Sequence, residues 1–113
     1  LYILDDHTLR AACRQYRQGF ERYYPGEALV LYASKAWSCM AICAIVTDEG
    51  LGIDVVSAGE LLTATEAGAI PDNIYFHGNN KSLEELSLAV DVGCRIVVDN
   101  WLELKTLGEL ATQ

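Results

Sequence analysis

Lys35 and Asp54 are the two residues whose types and positions most directly predict chemistry. Lys35 follows the apolar run 30–34, which has the β-branched and aromatic residues of a buried strand. Alternation along that strand puts Lys35 on the same face as Ala33. Burial disfavours the charged form of an amine, and an uncharged lysine amine is a nucleophile that forms Schiff bases with carbonyl compounds. The alternative is a lysine beyond the end of the strand that extends into solvent.

Asp54 lies inside the apolar run 52–56, where an ionised carboxylate needs a positive partner. If the strands that carry Lys35 and Asp54 are neighbours, the carboxylate is the natural counter-charge for the amine or for its Schiff base. The alternative is an ion pair that stabilises the fold and takes no part in catalysis.

Glu60 and His77 each have a structural and a chemical interpretation. Glu60 stands three residues after Ser57, which is the spacing of a helix capping box, and that role alone explains it. His77 opens the polar, glycine-containing loop 77–81 directly after an apolar run. It is therefore either part of a turn before a Ser82 cap or a residue that contacts a ligand.

These candidates are separated by a regular alternation of strand-like and helix-like segments, with a repeat of about 22 residues. The predicted strands span 29–34, 53–57, 74–77 and 95–99. The predicted helices span 39–47, 59–67, 83–92 and 101–110. Consecutive strand–helix units of this kind predict an α/β fold with a parallel sheet.

The first part of the chain precedes this repeat. Residues 1–4 predict a short strand, and apolar residues at helical spacing predict a helix that begins at Asp5 or Asp6 and ends before Pro25. The arginines of this helix are predicted to form one solvated face: Arg10, Arg14 and Arg17.

Two architectures fit linked strand–helix units: an open doubly wound sheet and part of a (β/α)8 barrel. No G-x-G-x-x-G or G-K-[ST] motif follows the first predicted strand, which disfavours the nucleotide-binding doubly wound folds. Polar residues at the ends of the predicted strands favour the barrel, because barrel active sites lie at that end. A barrel needs about eight strands. We therefore expect four units of a longer barrel.

Composition limits the classes of partner. The sequence has 113 residues, enough for one domain, and 51% of them are hydrophobic. A net charge of −8 argues against nucleic acid or an anionic membrane as the main partner. Four cysteines without a C-x-x-C motif predict neither a metal site nor a disulfide framework, and no apolar run is long enough to span a bilayer. These features predict a cytoplasmic protein with reduced thiols.

Four segments resemble, in order, the motifs of one enzyme family. Residues 32–36, Y-A-S-K-A, resemble the Y-A-x-K-A of the alanine-racemase-like decarboxylases that use pyridoxal phosphate. Residues 50–61 are similar to that family's G-x-G-x-D-V-V-S-G-G-E-L, and residues 96–100 to its I-V-V-D-S. Residues 77–82, H-G-N-N-K-S, resemble most closely the corresponding segment of the diaminopimelate decarboxylases within the family.

The resemblance implies that residues 1–113 are the amino-terminal part of a pyridoxal-phosphate-binding (β/α)8 barrel, preceded by an extra strand and helix. The remainder of the barrel and a carboxy-terminal β domain would lie outside these residues. The implied activity is decarboxylation of meso-diaminopimelate to L-lysine, in lysine biosynthesis, by a homodimer. This stretch alone would be inactive.

The resemblance also implies roles for individual residues. Lys35 would hold pyridoxal phosphate covalently and would manage protons during the reaction. Ala33 would be small because the cofactor ring passes close to it. Asp54, Glu60 and His77 would face the cofactor.

Two positions depart from the family pattern. Ala58 replaces the first glycine of S-G-G-E-L, which is tolerable at an ordinary first helical position, and Trp37 stands where K-A-N is more common. Because Trp37 lies just beyond the lysine, the substrate is less well determined than the cofactor. Three alternatives follow: a decarboxylase for ornithine, arginine or carboxynorspermidine, a racemase on the same barrel, and a non-catalytic relative that binds the cofactor.

Overall fold

The computed structural model describes residues 1–112 and consists, over that range, of a parallel sheet and five α-helices. The strands are β1 Leu31–Ala33, β2 Gly52–Val55, β3 Ile74–Phe76 and β4 Arg95–Ile96. The helices are α1 Asp6–Tyr23, α2 Met40–Asp48, α3 Ala58–Glu66, α4 Leu83–Val92 and α5 Trp101–Leu110. Short 3₁₀ turns occupy Ser34–Ala36 and Pro71–Asn73. The order confirms the predicted strand–helix alternation.

The four strands lie side by side in chain order, β1-β2-β3-β4, and every neighbouring pair is parallel. A doubly wound sheet reverses its strand order at a switch point, so the sequential order favours the barrel. The core lies between one face of the sheet and the helices, where Ile53, Val55, Ile74 and Phe76 are fully buried. The opposite face lies outside this hydrophobic cluster.

Gly52 allows β2 to pack closely against its neighbours. A Cβ atom at this position would collide with the backbone carbonyl of Asn73 and would come within 2.6 Å of a methyl carbon of Leu31. Because the backbone carbonyl cannot move aside as a flexible side chain would, a side chain here would force β2 away from the chain that enters β3. The glycine therefore sets the spacing at the start of the sheet.

The predicted strand over residues 1–4 is wrong. These residues have no strand partner within the described chain, and Leu1 and Tyr2 are almost completely exposed. Apolar content alone does not make a strand, because a strand is stabilised by pairing with a neighbour. β1 is also shorter than predicted, since the chain turns at Ser34 and leaves the extended conformation.

Helix boundaries follow the capping residues closely. Asp5 caps α1 by accepting a hydrogen bond from the backbone N–H of Thr8, as predicted. The bounds of α4 and α5 agree with the prediction, and α2 and α3 each differ from it by one residue at both ends. Among residues 1–112, no helix combines the length and apolar character that a bilayer span requires.

The predicted solvated arginine face of α1 is only partly right: Arg14 is exposed and Arg10 and Arg17 are partly buried, and all three bind the residue that follows α2. Glu49, only 6% exposed, receives two hydrogen bonds of 2.7 Å from the Arg14 guanidinium and one of 3.2 Å from Arg10. Arg17 donates to the Glu49 carbonyl at 2.6 Å. Together these contacts fix α1 to α2, and the hydrogen bonds from Arg14 and then Arg10 lower the pKa of Glu49 below its ordinary value of 4.5.

The lowered pKa of Glu49 predicts an acid-sensitive attachment of α1. Its stabilisation is fully present above the unfolded-state pKa and is lost as the pH falls through the folded-state pKa, because the protonated carboxyl no longer pairs with the arginines. The thermal unfolding midpoint should fall more steeply from about pH 6 to about pH 3 in the wild type than in Glu49→Gln. The exposed Glu27→Gln is the matched control and should follow the wild type. Equal slopes for wild type and Glu49→Gln would contradict the assignment.

Candidate active site

Lys35 is the central residue of the 3₁₀ turn that follows β1, and its side chain is exposed. The turn is held from two sides. The hydroxyl of Ser34, which is fully buried, donates to Glu60 Oε2 at 2.7 Å, and the Tyr32 hydroxyl donates to the carbonyl of Trp37 at 3.2 Å. The backbone that carries Lys35 is therefore fixed, while the amine itself is accessible.

The predicted buried ion pair between Lys35 and Asp54 is absent. Within residues 1–112, the basic side chain that approaches Asp54 is His77, whose Nδ1 lies 3.8 Å from Asp54 Oδ2. The 3₁₀ turn removes Lys35 from the strand alternation on which the prediction depended. In addition, no described element covers this face of the sheet, so the amine stays hydrated. Within residues 1–112, Lys35 therefore lies beyond the end of the strand and extends into solvent, which is the alternative that the sequence left open.

The predicted adjacency of the strands is nevertheless confirmed. Ala33 is the Cα partner of Asp54, and Asp54 is the Cα partner of Tyr75, so the three residues form one row across β1, β2 and β3. Paired residues of parallel strands project to the same face. His77, two residues after Tyr75, continues on that face, as its approach to Asp54 shows.

Tyr75 was missed by the sequence analysis. It lies in the row of Ala33 and Asp54, and the Arg95 guanidinium carbon lies 5.7 Å from its ring centroid in a cation–π contact. Arg95 is fixed in turn, because its Nε donates to the Asp72 carbonyl at 2.8 Å. The available signal was the alternation of β3, which puts Tyr75 on the face opposite the buried Ile74 and Phe76.

Glu60 joins the ends of two neighbouring strands. Its Oε2 accepts hydrogen bonds from the Ser34 hydroxyl at 2.7 Å and from the Val56 backbone N–H at 2.8 Å. Ser57 caps α3 by accepting from the Glu60 N–H at 3.2 Å, as predicted. The reciprocal half of the capping box is not formed, because the carboxylate bonds to Val56 and Ser34 instead. Glu60 is therefore brought near Lys35 by its hydrogen bond with Ser34, the residue that precedes Lys35.

The His77 loop starts at the carboxyl end of β3. The His77 N–H donates to the Val55 carbonyl at 2.9 Å and prolongs the β2–β3 ladder by one residue, while the imidazole is half exposed. Ser82 caps α4 as predicted, and with Glu85 it forms a capping box with both halves present. The loop is thus anchored at both ends, by the sheet and by the helix.

Lys81 and Glu103 were also missed as a pair. Their side chains are only 1% and 4% exposed, and Lys81 Nζ donates to Glu103 Oε1 at 2.8 Å. The two residues lie 22 positions apart on different strand–helix units. No local spacing rule connects them, so the sequence gives no signal for this contact.

The two departures from the family pattern have different outcomes. Ala58 is the first helical residue of α3, which confirms that a residue with a side chain is tolerated there. Its N–H donates to Glu85 Oε1 at 3.1 Å. Trp37 follows the lysine turn and is half exposed, with its carbonyl bound to Tyr32.

Comparison with known proteins identifies the family. The profile of the family described as "Pyridoxal-dependent decarboxylase, pyridoxal binding domain" matches residues 7–113. The chain belongs to this family. It is 57% identical to diaminopimelate decarboxylase of Synechocystis sp. over 98% of its own length and 25% of the length of that relative. It is 45% identical to diaminopimelate decarboxylase of Bacillus subtilis over 100% of its own length and 26% of the length of that relative.

Solved structures of diaminopimelate decarboxylases have the same fold. The crystal structure of diaminopimelate decarboxylase from M. jannaschii aligns with a TM-score of 0.89 at 30% identity, over 96% of this chain and 26% of that one. The chain spans about a quarter of the length of the relatives it matches. These matches confirm the predicted family and the predicted fold class, four βα units of the barrel, apart from the extra amino-terminal strand.

The bonds of Glu60 predict a graded effect of substitution in the full-length protein. Glu60→Ala removes the acceptor of the buried Ser34 hydroxyl and of the Val56 N–H, so the opening free energy of the Val56 amide should fall by about 1–3 kcal/mol. Glu60→Gln should keep most of the opening free energy of the Val56 amide, because an amide oxygen can accept the same two hydrogen bonds. Native-state hydrogen exchange measures the effect.

The control is Glu66→Ala on the same helix, since the Glu66 side chain is exposed and has no hydrogen-bond partner within residues 1–112. Its Val56 protection should equal that of the wild type. Unchanged protection in Glu60→Ala would show that the carboxylate does not join β1 to β2.

Proposed function

We propose that the full-length protein is a pyridoxal-phosphate-dependent decarboxylase that converts meso-diaminopimelate to L-lysine. The observation that carries the proposal is the accessible amine of Lys35 on a fixed turn at the carboxyl end of β1, within the family's lysine motif. Barrel enzymes place their active sites at this end of the strands.

The residues of the exposed sheet face fit the cofactor. Lys35 supplies the primary amine, which is the group that condenses with an aldehyde. Ala33 has only a methyl group, so it leaves space beside the turn for a flat ring. Asp54 and His77, 3.8 Å apart, supply polar groups on the same face. The donor set therefore matches an aldehyde cofactor with a polar ring.

When bound, pyridoxal phosphate supplies an electron-accepting ring that stabilises the charge left behind when a carboxylate departs as carbon dioxide. Lys35 Nζ would hold the cofactor, and as a free amine it could carry a proton at the reacting carbon. Asp54 provides negative charge on the sheet face beside the lysine turn. Ser34 and Glu60 keep that turn in place, so the backbone that carries the amine has a fixed position at the edge of the sheet.

Three facts support meso-diaminopimelate as the substrate. The relative in Synechocystis sp., 57% identical, is named diaminopimelate decarboxylase, as is the B. subtilis relative. The M. jannaschii enzyme has been crystallised in co-complex with L-lysine. Residues 77–82 of this chain have the H-G-N-N-K-S sequence that resembles this group of decarboxylases.

We further propose that the whole protein is a homodimer in the cytoplasm. The homodimer follows from the family resemblance. The cytoplasm agrees with the unpaired cysteines, of which Cys13 and Cys43 are buried. Light scattering on the purified full-length protein checks the dimer, and a monomer at working concentration would contradict it.

Replacement of Lys35 in the full-length protein tests the cofactor assignment. Lys35→Ala should abolish the visible absorption band of the bound cofactor and lower carbon dioxide release by about three orders of magnitude or more, because the anchoring amine is lost. Lys105→Ala is the control, since Lys105 is 75% exposed on α5. It should retain both the band and the activity. A wild-type full-length protein without a cofactor band would overturn the proposal.

A substrate panel on the same wild-type protein decides between the alternatives. Carbon dioxide release from meso-diaminopimelate, with L-lysine as product, is expected. Release from ornithine, arginine or carboxynorspermidine instead would reassign the substrate. Loss of optical activity without gas would indicate a racemase, and a cofactor band without any product would indicate a non-catalytic relative.

A further inference from the structure

Lys81 is a buried cation that connects two strand ends. Its ammonium donates to the Gly78 carbonyl at 2.7 Å, to the Val97 carbonyl at 2.8 Å and to Glu103 Oε1 at 2.8 Å. An ammonium has three N–H donors, so every donor has an acceptor. Gly78 follows β3 and Val97 follows β4, which puts the amine between the loops at the carboxyl ends of the two strands.

The desolvation cost of burying Lys81 and Glu103 indicates that the pair does more than fill space in the core. Burying two charges is unfavourable, and apolar residues of similar volume often replace a buried ion pair without loss of stability. What apolar residues cannot do is bind the two backbone carbonyls. Lys81 and Glu103 therefore contribute an attachment for the two loops, in addition to filling space.

The attachment lies next to a candidate site residue. His77 immediately precedes Gly78, and its imidazole faces Asp54 on the sheet face that carries the lysine turn. Gly78 has a φ of +139°, a conformation that L side chains rarely adopt. The loop thus leaves β3 through an unusual turn, and Lys81 fixes the carbonyl of that turn.

We propose that Lys81 is a positioning residue which, paired with Glu103, holds His77 in place for the cofactor. The inference rests on the proposed function, because it takes pyridoxal phosphate as the ligand of this sheet face. In this proposal Lys81 acts by holding the loop that carries His77, and it does not contact the substrate. The loop is then ordered before the cofactor binds, and the cofactor does not have to order it.

The test uses the full-length protein freed of its cofactor. In Lys81→Met/Glu103→Leu, an apolar pair replaces the charges, so the thermal midpoint should stay close to that of the wild type. Amide exchange of the peptide 77–81 should become faster. The dissociation constant for pyridoxal phosphate, from fluorescence titration, should rise roughly tenfold or more, because the loop is displaced.

Two further variants keep the result interpretable. Lys105→Met/Glu109→Leu makes the same changes at an exposed pair on α5 and should leave loop exchange and cofactor affinity unchanged. Gly78→Ala disturbs the turn without touching the ion pair and should weaken cofactor binding in the same direction. This second variant tests the loop even if the double variant fails to fold.

The outcomes separate this inference from the proposed function. A wild-type protein that does not bind pyridoxal phosphate would overturn both. Normal binding by the wild type, by Lys81→Met/Glu103→Leu and by Gly78→Ala would overturn only the role of Lys81. Faster loop exchange with unchanged affinity would do the same, since it would show that the loop is held but that holding it does not serve the cofactor.

Discussion

The structure depends on glutamates at the starts of three helices, α3, α4 and α5, whose carboxylates bind the preceding strand–helix unit. The third residue of each of three successive helices is a glutamate: Glu60 in α3, Glu85 in α4 and Glu103 in α5. Glu60 binds Ser34 after β1, Glu85 binds the N–H of Ala58 at the start of α3, and Glu103 binds Lys81 before α4. Each glutamate is local in sequence to its own cap, yet its bond joins two units. Because helix starts and strand ends lie at the same edge of the sheet, these bonds join neighbouring units at the edge that carries Lys35 and His77.

The first strand–helix unit, β1 with α2, has no such glutamate at the start of its helix. The third residue of α2 is Ile42, which is apolar and buried, so α2 has no carboxylate at its start. It is fixed at its other end instead, through Glu49 and the arginines of α1. The turn after β1 consequently depends on the next strand–helix unit, β2 with α3, because Glu60 of α3 accepts the hydrogen bond from Ser34. Lys35 is positioned by a residue of the strand–helix unit that follows it.

Local rules explain which parts of this arrangement could be predicted from the sequence. Ser57 and Ser82 were recognisable as helix caps because a cap bonds three residues away, within its own segment. The targets of the glutamate carboxylates were not predictable, since they depend on which units become neighbours in space. The same limit applies to Lys81, whose partner Glu103 is remote in sequence. The strands of Ala33 and Asp54 are neighbours, as the predicted pairing of Lys35 with Asp54 required, but strand alternation failed at Lys35, where a 3₁₀ turn ends the strand.

The exposure of Lys35 and the family assignment agree once the shape of the sheet is considered. Four parallel strands in chain order, with their helices on one face, leave the other face and both outer strand edges uncovered. In a closed barrel of about eight strands, that face becomes the interior. An amine loses its contact with water only when protein atoms enclose it on every side, and the described strands enclose Lys35 on one side only. The accessible Lys35 therefore reflects the open sheet, whereas its fixed turn is already complete, because Ser34, Glu60 and Tyr32 all belong to the first two units.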